Sequence, residues 1–315
     1  MDVLMLANAK AGRGRGRVAA QRIADRLRAG GYRVAVLQVG PGMDPPAVAE
    51  QIAAAQVVVA AGGDGTVLHA AAAMLARRCG AGATMPAIYH LPWGNENLFA
   101  REFGMDRHAA TLLAALGRRA IACVDVAWIT DAGRGRPPAP IERRPFLIMA
   151  GFGPDASVIR RLDAARSSAI GHLAYVRPIL AELRDPTFPR VRVTVDGRRI
   201  VDDEPGMLIV ANCRRYASRL DPAREASMTD GLLDAVFMPC RTVPGAVGWA
   251  VRCRLRRQAA GRGWVSVRGS EVTVERLDRD DLPCQVDGES VRTAQTPTPS
   301  FTVSVEAGVL PVLKP

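Results

Sequence analysis

The residues best suited to chemistry are Gly62, Gly63, Asp64, Gly65 and Thr66, set between the apolar run at 57–61 and a second apolar run at 67–75. Three glycines in four positions let the backbone reach φ > 0 and let a ligand approach closely. The string empties into a helix start, where free N–H groups and the helix dipole favour an anion. Asp64 is out of place beside a phosphate unless a divalent cation or a hydrogen-bonded network intervenes. The stretch therefore reads as a phosphate site with a metal, rather than a generic strand–turn–helix link. Two more turns, Asp230-Gly231 and Asp287-Gly288-Glu289, each present a carboxylate rigidly. Asp-Gly is also an ordinary hairpin signal, and Asp196-Gly197 is read as that alone.

The elements that position these residues follow from periodicity. Residues 3–7 and 32–39 read as strands, with an amphipathic helix between them carrying Val18, Ile23 and Leu27 and ending at Gly30-Gly31. A helix from Pro45 to Ile52 and the strand at 57–61 complete a β-α-β-α-β order. That order predicts a doubly wound parallel sheet with ligands at the carboxyl ends of its strands. A strand at 85–91 runs into the polar turn Pro92-Trp93-Gly94-Asn95-Glu96-Asn97. From Ala120 the pattern alternates, so antiparallel strands are expected. Residues 131–144 read as a hairpin loop, and a basic helical stretch follows Gly151-Phe152-Gly153-Pro154-Asp155. Alternation is expected over 191–195 and again at Ile200, across the turn at Asp196-Gly197, with further short strands at 207–211, 233–238, 264–267, 272–277, 284–286 and 301–305 and a helix at 247–258. The fold class is α/β plus β: an N-terminal doubly wound, phosphate-binding domain at 1–125 and a C-terminal β-sandwich with a helical insertion at 126–300. Residues 301–315 form a terminal strand and tail that return to the first domain.

The totals exclude several classes. Apolar content of 48% with 23% charged residues supports a core and argues against wholesale disorder. The net charge of +11 suits an anionic membrane face, an anionic substrate or nucleic acid. No aromatic-interleaved basic stripe appears, so nucleic acid is not expected. The six cysteines form no CxxC pair and have no His cluster beside them, which argues against a zinc site and a disulfide framework. No signal peptide or membrane-spanning run is read, so a cytoplasmic location is expected.

Taken in order, the motifs resemble the diacylglycerol-kinase catalytic-domain family, which includes bacterial lipid kinases and sphingosine kinases. Asn8-Ala9-Lys10-Ala11-Gly12 is similar to its opening Asn-Pro-x-Ser-Gly loop, and Gly62–Thr66 matches its glycine motif. Pro92 to Arg101 resembles Pro-Leu-Gly-Thr-x-Asn-Asp-Phe-Ala-Arg. Residues 212–234 resemble the family's Asn…Arg-Tyr…Asp-Gly-Leu-Leu-Asp segment, and Gln285-Val286-Asp287-Gly288-Glu289 matches its last motif.

The resemblance implies ATP and Mg2+ as cofactors and phosphoryl transfer to a lipid hydroxyl in a cleft between the two domains. Asn8, Gly12, Gly62, Gly63, Asp64, Gly65 and Thr66 would hold the nucleotide, with Asn95 and Asn97 beside it. Asp287 would be the general base, and Glu289 would support magnesium or the nucleotide. Ser227, Asp230 and the Leu232 backbone would form a structural magnesium site. The partner implied is a lipid substrate at an anionic membrane surface, met peripherally; a homodimer is compatible with it. The basic stretches at 160–184 and 252–262 could face that surface. Leu98 replaces a family Asp, Trp93 a Leu, Asn95 a Thr and Ala217-Ser218 a glycine pair. The glycine motif is shared with nicotinamide-dinucleotide kinases, so a soluble enzyme of that kind is one alternative; the departures leave a second, a catalytically weak nucleotide- and membrane-binding member.

Overall fold

Continuous apolar runs form strands buried on both faces, and two of them build the centre of the N-terminal unit. They are β1 (Asp2–Asn8) and β3 (Val57–Gly62), of which residues 3–7 and 57–62 are buried. In this computed structural model the described residues are 1–9, 11, 15–40, 45–76, 85–132, 143–164, 188–279, 281–291 and 299–315. The chain divides into two compact units, Met1–Val124 with Gly308–Pro315, and Asp125–Ala307.

In the first unit β1 pairs in parallel with β2 (Arg33–Val39) and with β3, and β3 pairs in parallel with β4 (Ala87–Pro92). The crossovers are α1 (Arg15–Ala29), α2 (Pro45–Ala54) and α3 (Asp64–Ala76). The chain's last segment, the end of β15 (Ser300–Leu313), adds to this sheet in parallel through Val312 opposite Ile88. Two helices absent from the periodicity reading follow β4: α4 (Leu98–Phe103) and α5 (Ala109–Arg118). At six residues, α4 is too short to show a helical period. Gly104 in the left-handed region (φ 69) ends it, as glycine does at helix ends.

The second unit is antiparallel. One sheet runs β14 (Glu289–Ser290), β13 (Cys284–Val286), β7 (Met149–Phe152), β9 (Arg198–Ala211), β10 (Leu233–Pro239), β11 (Val265–Gly269). The other joins the first half of β9 to β8 (Arg190–Val195), β12 (Glu271–Arg276) and β15. Strands β5 (Ile121–Asp131) and β6 (Arg144–Phe146) pair alongside. Strand β9 is thus shared, switching sheets near Gly206, where an added Cβ would lie 2.6 Å from the Met238 carbonyl. Strands that pass between sheets in this way make the corners of such sandwiches. The core between them includes Phe152, Val193, Phe237, Val274 and Phe301. Helix α6 (Pro154–Ala164) follows β7.

The expected helix at 247–258 is α7 (Val243–Arg254), four residues earlier at each end. Thr242 sets the start, its Oγ1 accepting from Gly245 N–H at 3.3 Å, and Pro244 follows in the first turn, where its missing N–H costs nothing. Arg256 at φ 61 stops it. The expected loop at 131–144 and the basic stretch at 160–184 lie largely outside the described residues. No described helix is long and apolar enough to cross a membrane.

Candidate active site

Strand register assembles the N-terminal part. Ala7 lies opposite Ala61, and Gly62 opposite Pro92, so Asn8, Gly62 and Pro92 end at one edge of a parallel sheet. Asn8 Nδ2 donates to Thr66 Oγ1 at 3.3 Å. A Cβ on Gly62 would collide with the same hydroxyl, and one on Gly94 would lie 2.6 Å from Gly63 Cα. Both loops therefore need glycine for packing, whatever they bind. The Gly62 carbonyl accepts from Trp93 N–H at 2.7 Å and lies 3.0 Å from His90 Nε2. His90 is fully buried, and burial pushes its imidazole below the ordinary range against the pull of Asp64.

Asp64, in the first turn of α3, accepts from Phe99 N–H at 3.0 Å. It thereby satisfies a free donor at the start of α4, a capping role supplied from another element. Leu98, standing where the resemblance has an Asp, is 7% exposed and packs inward. Asn97 takes the left-handed conformation at φ 50. Its Oδ1 accepts from Gly94 N–H at 2.8 Å and its Nδ2 donates to the Gly94 carbonyl at 2.7 Å. Asn97 thus holds the turn itself, while Asn95 is exposed at its tip. Gly65 lies in the first turn of α3; Gly12 lies outside the described residues.

The C-terminal part is built on the Asp287-Gly288 turn joining β13 to β14, with φ 47 and 82. Left-handed φ at both central residues is the hairpin geometry that Asp-Gly favours. The Asp287 carboxylate accepts from three backbone N–H groups: Leu147 at 2.8 Å, Ile148 at 2.9 Å and Met149 at 2.9 Å. Glu289 lies in β14 opposite Val286.

Behind the turn, Gln285 Nε2 donates to Asp155 Oδ2 at 3.3 Å, and its Oε1 accepts from Gly288 N–H at 2.9 Å. Burial pushes the Asp155 carboxyl up to about 6, although Gln285 and Tyr216 pull the other way. Burial, then Asp155, raises the Tyr216 phenol well above its ordinary range. Sequence reasoning assigned no role to Asp155, Tyr216 or Gln285. The available signals were Gln285 two residues before Asp287 and Asp155 just after a Gly-x-Gly turn; none pointed to their meeting.

Ser227, Asp230 and Leu232 share one loop before β10. Asp230 Oδ1 accepts from Leu232 N–H at 3.1 Å, and Ser227 Oγ lies 3.1 Å from Thr229 Oγ1. Their available donors are oxygens with one carboxylate, a set that fits magnesium. Among the described residues no three His, Cys, Asp or Glu side chains gather as a metal cluster. Asp125 pins the loop, accepting from Gly231 N–H at 2.7 Å and donating its own N–H to the Met228 carbonyl at 2.7 Å. Fully buried Asn212 donates to the Asp125 carbonyl at 3.1 Å and the Leu147 carbonyl at 2.9 Å. One hydrogen-bonded path thus runs from this loop to the Asp287 cradle. A cavity of about 450 Å³ lies elsewhere in the unit, lined by Val201, Phe237 and Arg241 among others and by none of these residues.

Residues 2–129 match the diacylglycerol kinase catalytic domain, and residues 148–314 match the YegS C-terminal NAD kinase beta sandwich-like domain. A Xanthomonas campestris protein named Probable lipid kinase YegS-like is 32% identical over 253 residues, 77% of this chain and 75% of that protein. An uncharacterized Synechocystis protein, sll0036, is 23% identical over 185 residues; the match spans 59% of this chain and 38% of that protein's length. The crystal structure of a diacylglycerol kinase from Bacillus anthracis covers all of this chain and 97% of its own, with a TM-score of 0.66 at 17% identity. At that identity the likeness is one of fold.

Proposed function

The chain belongs to the diacylglycerol-kinase catalytic-domain family, and from that premise we propose that it is an ATP-dependent lipid kinase. It transfers the γ-phosphate of ATP to a hydroxyl of diacylglycerol or a related lipid, acting peripherally at the cytoplasmic membrane face. The supporting observation is the sheet edge where Asn8, Gly62 and Thr66 meet and where Gly63 and Gly94 pack backbone to backbone. Such an edge opens onto the start of α3, whose free N–H groups suit a phosphate.

Phosphoryl transfer asks for positioning and charge stabilisation more than covalent chemistry. Asn8, Gly63, Gly65 and Thr66 supply backbone and side-chain donors for phosphate oxygens. In this reading Asp287 accepts the proton of the attacking hydroxyl. Its three backbone partners hold the carboxylate in one orientation before substrate arrives, which lowers the cost of reaching the reactive geometry. An ionised carboxylate offers about four acceptor positions, so the cradle does not by itself exhaust it. Magnesium, when bound, neutralises phosphate charge; Ser227, Asp230 and the Leu232 carbonyl would hold the structural ion, with Glu289 supporting a nucleotide-bound one.

The test is phosphate transfer from labelled ATP to diacylglycerol, monoacylglycerol and sphingosine in mixed micelles, with free NAD as a separate acceptor. Wild type is expected to label one lipid class, and Asp287→Asn to lower that rate by about 10²-fold or more, the usual worth of a general base. Equal, background labelling by both proteins would sink the assignment, and turnover of NAD alone would replace it with the soluble dinucleotide kinase. A weakly catalytic protein is a second reading, favoured by Asp64 being engaged with Phe99 and Asn97 with Gly94. ATP binding without turnover on any acceptor would select it.

A further inference from the structure

Helix α7 has two opposed faces. Trp249 and Cys253 point inward, each 4% exposed. Trp249 Nε1 donates to the Pro239 carbonyl at 2.8 Å, and a Cβ on Gly261 would collide with the indole ring. Val247, Val251 and Leu255 remain 53%, 50% and 61% exposed. At 3.6 residues per turn their spacing of four makes one ridge, about 180° from the anchoring pair. Single exposed valines are ordinary. Here three of the five large exposed hydrophobics among the described residues share one ridge, which is not.

The charge around the ridge has one sign. Residues 235–270 contain seven arginines and no Asp or Glu. Arg254 flanks the ridge on one side and Arg252 on the other, its guanidinium 5.4 Å from the Trp249 ring centroid. Arg256 and Arg257 follow its end. Arg241 and Arg268 are answered by carboxylates, Glu204 at 3.8 Å and Glu225 and Asp234 at 3.3 Å. Among the described residues Arg254, Arg256, Arg257 and Arg262 take part in no ion pair. The helix dipole accounts for cations in the last turn, but not for Arg257, Arg262 or the apolar ridge beside them.

We propose that α7 is a membrane-docking element, with Val247, Val251 and Leu255 entering the acyl boundary of an anionic bilayer and Arg252, Arg254 and Arg257 meeting its headgroup phosphates. An apolar ridge between cationic flanks is the pattern of helices that lie in a bilayer interface, and an all-arginine rim needs an anionic plane opposite it. The choice of a bilayer over a protein partner rests on the lipid-kinase reading. The test does not depend on turnover, so either can fail alone.

The experiment is co-sedimentation of the full chain with phosphatidylcholine vesicles and with vesicles of equal parts phosphatidylcholine and phosphatidylglycerol. Wild type is expected to bind the anionic vesicles, and less so as salt rises. Val247→Ser/Val251→Ser/Leu255→Ser and, separately, Arg252→Gln/Arg254→Gln/Arg257→Gln are each expected to weaken binding by about tenfold or more. Both variants should keep wild-type phosphorylation of a short-chain, micelle-free diacylglycerol. Wild-type binding that is absent, or equal on both vesicle types, overturns the proposal, as does binding unchanged in the serine variant. Wild-type dimers in sedimentation velocity that are lost in the serine variant would make the ridge a contact between copies and overturn it too.

Discussion

A buried carboxylate is costly when ionised unless it is fully compensated, and Asp155 shows how that cost enters stability. Its carboxyl is pushed up to about 6 from the ordinary aspartate value of about 3.9, burial being the largest cause. Because the folded state holds this proton more tightly, the stability it contributes is full below about pH 4 and is lost as pH rises through about 6. Above that range the ionised group, facing Gln285, Tyr216 and Cys284, costs at most about 3 kcal/mol. Asp155→Asn is therefore expected to be more stable than wild type at neutral pH, by up to that amount. Urea unfolding should show the gap closing as pH falls below about 4; a gap independent of pH would contradict the burial argument. If the stored cost serves catalysis, the stabilised variant will turn over more slowly. The Gly-x-Gly turn before it does not show this cost, which depends on Gln285 and Tyr216 arriving from far along the chain.

At the scale of elements, Asp64 belongs to two at once, opening α3 and capping α4. Asp64→Ala is expected to lose about 1 kcal/mol and to loosen the 92–97 turn, while Asp64→Asn keeps an acceptor for Phe99 N–H. ATP binding measured for both separates the roles. Loss in Ala with retention in Asn marks the cap as the part that counts; equal loss marks the charge, and so a metal or phosphate network. The strand–turn–helix reading of residues 57–75 was legible because buried parallel strands are continuous apolar runs and glycine strings end them. Helix α4 was not, because six residues carry no period and its start depends on a carboxylate 35 positions earlier in the chain. Helix α7 shifted from its expected place because a cap residue, Thr242, outweighed the apolar pattern used to place it.

For the whole molecule, the chain enters the C-terminal unit at Asp125 and leaves it after Ala307. Residues 308–315 then complete the parallel sheet, with Leu310, Val312 and Leu313 buried and Lys314 N–H donating to the Ala120 carbonyl at 2.8 Å. Deleting them exposes the edge of β4 and removes three buried apolar side chains, on the order of 5 kcal/mol. The truncated protein is expected to melt well below wild type and to bind ATP weakly. A calorimetric trace matching wild type would show that the last strand adds nothing to the sheet.

The sequence by itself determined the class of fold, the glycine-lined sheet edge and the acidic turns, because those depend on backbone conformation, burial pattern and short spacings. Only the tertiary structure decided what each polar group spends its hydrogen bonds on. Asp64 meets Phe99, Asn97 meets Gly94, Asp287 meets the backbone of residues 147–149, and Gln285 joins Asp155 to the turn. Those pairings span up to 140 positions. A buried donor or acceptor must find a partner wherever the fold brings one, and that choice is made by packing, not by neighbours in the chain.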